Sequence, residues 1–185
     1  MSATTKMAVG LAIAASLVVG YLAAVLITDD ASPTADSVVD ACSAAESIKQ
    51  LIGRQELKEA ELERGWMSLT DQAGRRAALD QLAVEMRLIV DEARNLRLTI
   101  LRNQGTDPAM DELAGLAHFF TLVWRARGDL YEDKSVRFGF SPVTLSNAVN
   151  RAASDHAAEY DEASGFDFDL VHAAYDACGI SWLFA

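Results

Sequence analysis

The chain has 185 residues, 51% hydrophobic and 23% charged, with 27 acidic against 16 basic side chains and a formal charge of −11. That acidity argues against a nucleic-acid binder, whose phosphate contacts need Lys and Arg. It also argues against a domain lying flat on anionic lipid. It permits a basic partner surface, such as a basic soluble electron-carrier protein, or a solvated acidic exterior that serves solubility.

Residues 1–6 form a stub whose only charged side chain is Lys6. Residues 7–27 are uncharged and predominantly apolar, and Asp29, Asp30 and Pro33 follow at once. About 20 apolar residues, rising ~1.5 Å each, are enough to cross a bilayer's hydrocarbon core. The stretch therefore reads as a single transmembrane anchor in contact with the lipid bilayer. A cleaved signal peptide is the rival, but its apolar region runs only about 7–15 residues and ends at a small-residue site. Thr28-Asp29-Asp30 offers no such site. A lipoprotein fits less well, because a polar segment with Pro33 separates Cys42 from the apolar run and Asp40 lies close to it. Basic residues favour the cytoplasmic flank. The expected placement is an N-terminus in the cytoplasm and the bulk of the chain outside, in a bacterial inner or plasma membrane. Few lysines with abundant arginine and alanine suggest a GC-rich bacterial source. Beyond the span, 15 basic and 27 acidic side chains leave a net charge of −12.

Within the span, Ala12, Ser16, Gly20 and Ala24 recur every four residues. Small residues at that spacing let a second helix approach closely, which makes this row a candidate packing face in the membrane. Residues 28–35 read as a linker, with Pro33 breaking any continuous helix. Residues 36–185 then form one extracytoplasmic domain.

Thr34 and Asp36 are candidate caps for a first helix, whose stripe runs Val38, Ala41, Ala45, Ile48 and Ile52 to about Gly53. The charged run Gln55 to Arg64 reads as helical and ends near Gly65. Leu79, Leu82, Met86, Ile89, Ala93, Leu96 and Ile100 follow alternating three- and four-residue steps, with Leu88, Val90, Leu98 and Leu101 widening the stripe. This predicts a helix from Asp71 to Asn103, about 50 Å long, with the spacing of an antiparallel bundle. Asp107 or Thr106 with Pro108 opens the next helix, whose stripe is Leu113, Leu116, Phe120 and Val123 and whose stop is Gly128. Asp129 to Phe140 reads as a loop. Ser141-Pro142 opens a helix to about Ala163, and a last helix covers Asp167 to Cys178. The predicted fold is all-α: an N-terminal single transmembrane helix followed by an antiparallel bundle of four or five helices.

The two cysteines, Cys42 and Cys178, sit at the two ends of the outer domain. An even count in an oxidising compartment predicts a disulfide. It would close almost the whole domain, worth roughly 4–5 kcal/mol in the chain-entropy model. The apolar tail Trp182-Leu183-Phe184 is a candidate docking element, or folds back into its own core. The three histidines lack metal-site spacing. Asp169 and His172 stand three apart, but a di-metal bundle needs that type of motif twice. No nucleotide-binding or hydrolase motif occurs. No metal, cofactor or catalytic residue is therefore predicted, and the chain does not read as an enzyme. The expected role is an accessory or scaffold subunit docking on a larger membrane complex or envelope protein. The rival is a small-molecule or metal-binding sensor or carrier, with a cavity lined by His118 or His156.

Overall fold

Two apolar stripes on the heptad spacing account for most of the architecture. The computed structural model describes residues 39–66, 68–133 and 142–181. The anchor stretch with Ala12, Ser16, Gly20 and Ala24, the linker, and the tail Trp182, Leu183 and Phe184 lie outside the described residues.

Six helices and no strand occur among the described residues: α1 (Ala41–Trp66), α2 (Gln72–Asn103), α3 (Pro108–Glu132), α4 (Pro142–Asp155), α5 (Ala157–Ala163) and α6 (Phe168–Ala177). The first three run up, down and up. Arg54 on α1 meets Glu92 on α2, and Gln55 and Glu59 on α1 meet Trp124 and Arg127 on α3. The segment α4–α5 returns along α3 as a fourth, broken helix, with Tyr160 donating its hydroxyl hydrogen to the Leu122 carbonyl. The sixth helix closes one end by packing on α1 and α3.

The first helix starts at Ala41, and Asp40 caps it by accepting a hydrogen bond from the Ser43 backbone N–H at 2.7 Å. The proposed caps Thr34 and Asp36 lie outside the described residues. The helix then runs unbroken through Gly53 to Trp66, so the charged run is its second half rather than a separate element. The α2 boundaries match the spacing closely, with Asp71 capping Gly74 N–H at 2.6 Å. All seven residues of its predicted stripe are buried. The positions flanking the stripe divide between core and surface. Val90 is buried, but Leu88, Leu98 and Leu101 are exposed on the outer face.

Asp107 caps α3 and Pro108 opens it. This helix passes through the predicted stop at Gly128 and ends at Glu132. A Cβ at Gly128 would lie 3.4 Å from Met86 Cβ, so this glycine lets α2 and α3 approach. Arg76 of α2 then caps the extended end, donating to the Tyr131 and Asp133 carbonyls. Such donors satisfy helix carbonyls that lack an intrahelical partner. The single helix expected from Pro142 to Ala163 is two, broken at His156, whose φ and ψ of −124° and 43° are not helical. Gly115 provides the closest approach: a Cβ there would come within 2.9 Å of Phe166 Cβ, where the chain turns into α6.

Candidate functional site

The cysteines meet. Cys42, in the first turn of α1, and Cys178, the C-cap of α6, lie with Cα atoms 5.3 Å apart and sulfurs at bonding distance, 136 residues apart in sequence. No described cysteine is free. The staple joins the first helix to the last, as the spacing suggested. Near it, Lys49 Nζ reaches Ser181 Oγ at 3.4 Å, and Ile180 packs against the core. The bridge is accessible on the Cys42 side and half-buried on the Cys178 side.

The middle of the α1/α3 contact contains a polar cluster that the apolar pattern alone does not reveal. Arg127 is 1% exposed and makes both its ionic contacts through Nη1, to the Glu59 carboxylate oxygens at 3.2 and 3.0 Å. Tyr131, fully buried, donates its hydroxyl hydrogen to Glu59 Oε1. One turn away, Trp124 Nε1 donates to Gln55 Oε1 at 3.3 Å, and Trp124 stacks on Phe120 with centroids 5.2 Å apart. Two buried donors, Gln55 Nε2 and Arg127 Nε, have no protein acceptor. Burial, followed by the charge on Glu59, pushes the Tyr131 hydroxyl well above its ordinary range. The same two influences raise the half-buried Glu56 carboxyl, with Arg127 opposing them. Arg127 is thus compensated by one carboxylate, and Glu59 is held by one guanidinium and one phenol.

Residue spacing could have found this cluster. The α1 stripe Ala45, Ile48 and Ile52 continues in the same steps through Gln55, Glu59, Leu62 and Trp66. The α3 stripe Phe120 and Val123 continues to Arg127 and Tyr131. A polar residue that keeps the seam's phase faces the partner helix whatever its charge.

The histidines do not converge. His118 is half-buried on α3, and burial, with Arg97 next in weight, holds it below the usual imidazole range. His156 is exposed at the α4–α5 break. His172 Nδ1 lies 3.1 Å from Asp176 Oδ2 on the outside of α6. No group of three or more His, Cys, Asp or Glu side chains among the described residues could hold a metal ion. Around His118 lies an ion-pair cluster instead. Arg125 binds Glu159 at 2.9 Å, and Arg97 lies 3.9 Å from Glu162. These pairs join α2 and α3 to α5.

Exposed large hydrophobic residues are concentrated on α2. Four of the six exposed large hydrophobic residues among the described residues, Val84, Leu88, Leu98 and Leu101, lie on this one helix. Comparison with protein-family models, with curated proteins and with solved structures found no match.

Proposed function

We propose that the protein is a membrane-anchored accessory or scaffold subunit, whose acidic extracytoplasmic helical domain docks on a larger membrane complex or envelope protein. The observation that carries this reading is a combination of two features. Residues 7–27 form an uncharged stretch long enough to span a bilayer, and the domain that follows is closed end to end by Cys42–Cys178. Disulfides persist in oxidising compartments, which favours placement of that domain outside the cytoplasm. No helix among the described residues is long and apolar enough to cross a membrane, so residues 7–27 are the segment that would supply the anchorage. The acidic exterior would suit a basic soluble partner, and the tail Trp182, Leu183 and Phe184 would add an apolar contact.

The test is a pull-down of the tagged full chain from its native membranes in mild detergent, with partners identified by mass spectrometry. A stoichiometric membrane complex or envelope protein is the expected result. A chain that fractionates as a soluble protein, or that elutes with no other protein, would overturn the proposal.

A further inference from the structure

The second helix carries two heptad-spaced stripes on opposite sides. The inner one is buried against α1 and α3. The outer one runs Val84, Leu88, Asp91, Asn95, Leu98 and Arg102 in alternating four- and three-residue steps, and every member is exposed. We propose that this outer stripe is a self-association surface, on which α2 of a second copy of the chain packs in parallel.

Charge distribution favours a second copy. The domain, residues 36–185, carries −10, and most of its faces would repel their own kind. The second helix is an exception: it has six arginines against four acidic residues, a net +2. Its exposed charges balance, with Arg87, Arg94 and Arg102 against Asp80, Asp91 and Glu92. Two copies can therefore meet at this face without net repulsion, and here the apolar side chains are concentrated.

The order of the charges selects the orientation. With Leu88 and Asn95 at a positions and Val84 and Leu98 at d, Arg87 occupies g and Glu92 the following e. In a parallel pair, Arg87 of each copy faces Glu92 of the other. In an antiparallel pair with Leu88 over Leu98, like charges meet at the centre: Glu92 faces Glu92, and Arg94 faces Arg94. Asn95 at an a position pairs with itself only in the parallel arrangement, where such a residue specifies register. Asp80 and Glu85 would oppose each other and set the N-terminal limit of the seam, and Arg102, which faces its own copy at the next a position, sets the C-terminal limit. Asp91 at a d position faces its own copy and weakens the middle, an effect offset in part by its own Arg94 at 3.1 Å. The pairs to be exchanged, Arg87–Glu132 and Arg54–Glu92, are solvent-exposed, and such pairs are cheap to rearrange.

From Val84 to Leu98 the seam is about 21 Å long. A two-helix contact of that length falls at the low end of specific interfaces, below about 1,200 Å². It suits copies already concentrated in one membrane, where tethering raises the effective concentration. In that respect alone the inference rests on the proposed anchorage, which also gives the copies a common orientation.

The experiment uses the full chain in its own membranes, with single substitutions Leu88→Cys, Leu98→Cys and, as a control on another exposed leucine, Leu170→Cys. The native cysteines are bonded to each other, so a short bis-maleimide reacts only at the new thiol, and surface positions leave the fold intact. Parallel pairing predicts self-cross-linked dimers for Leu88→Cys and for Leu98→Cys. It predicts none for Leu170→Cys, and no mixed 88–98 product on co-expression. Adding Asn95→Arg to Leu88→Cys should lower the dimer yield about tenfold, as like charges then face each other across the seam. A mixed 88–98 product, equal yield at position 170, or no dimer at all overturns the proposal. Fractionation of the same sample reports the anchorage separately: a membrane-bound chain without cross-links defeats only the self-association, and a soluble chain that cross-links defeats only the anchorage.

Discussion

The α2/α3 and α1/α3 contacts use the same spacing and fill it differently. Between α2 and α3 the stripe is apolar throughout, from Leu79 to Ile100 on one side and from Leu113 to Val123 on the other, with Gly128 admitting Met86. Between α1 and α3 the stripe is apolar near Ile48 and Ile52, then turns polar at Gln55, Glu59, Arg127 and Tyr131. An apolar seam stabilises through area and packing, roughly 25 cal/mol per Å² buried, but tolerates a helix sliding by a turn. A buried ion pair is a weak source of net stability, because desolvation offsets the attraction. It does penalise every register in which Arg127 loses Glu59. The comparison suggests a division of labour: α2/α3 supplies most of the burial, and the α1/α3 cluster sets which turn of α1 faces which turn of α3.

Removing one partner should test this most severely. Glu59→Ala leaves Arg127 buried without a carboxylate and should cost about 3–5 kcal/mol, read as a fall in the denaturant midpoint. Replacing Glu59, Arg127 and Tyr131 together by Leu, Met and Phe should cost far less, or stabilise, if the cluster serves register rather than stability. Should the triple variant lose as much as Glu59→Ala, the division of labour is wrong. The staple comes next. Cys42→Ser with Cys178→Ser should cost roughly 2–5 kcal/mol, and hydrogen exchange should rise first in α6, which buries only Val171, Ala174 and Tyr175 as fully enclosed side chains. Uniform loosening of the whole bundle would instead mean that α6 is held by its packing. Gly115→Ala forces a methyl group against Phe166 and should cost about 1–3 kcal/mol, with the change in thermal midpoint as readout. No change there would show that the α5–α6 turn yields freely.

The smallest effect concerns Glu56, and its sign is fixed by linkage. Burial raises its carboxyl above the ordinary 4.5. A group whose folded value is raised contributes stability below the unfolded value and loses it as pH rises through the folded value. At neutral pH the ionised Glu56 is therefore a cost. Glu56→Gln should raise the melting temperature slightly at pH 7 and leave it unchanged near pH 4. An equal gain at both pH values would point to a cause other than charge.

Helix positions were legible wherever a local rule decides them. The helix expected from Asp71 begins there, Asp107 caps and Pro108 opens the next, and the α2 stripe is buried as its spacing requires. The cysteine pair was legible for a different reason: two thiols at opposite ends of one domain have only each other. Local rules failed where a residue has two uses. Gly128 reads as a stop, but against Met86 it is a packing glycine. Leu88, Leu98 and Leu101 read as core, but a single helix can turn only about a third of its circumference toward one neighbouring pair. His156 carries no helix-breaking signal, yet α4 and α5 part there.

The sequence by itself determined the all-helical class, the long central helix, the end-to-end pairing of Cys42 with Cys178, and an uncharged stretch long enough for a bilayer. These follow from periodicity, capping and composition, which are properties of neighbouring residues. Spacing puts Gln55 and Glu59 in phase with the seam, but only the tertiary structure decided that Arg127 and Glu59 neutralise each other there and that the outer side of α2 is left exposed. Burial of a charge depends on a partner 68 residues away, and exposure of a leucine depends on which helices run past it. Neither is contained in any local stretch of the chain.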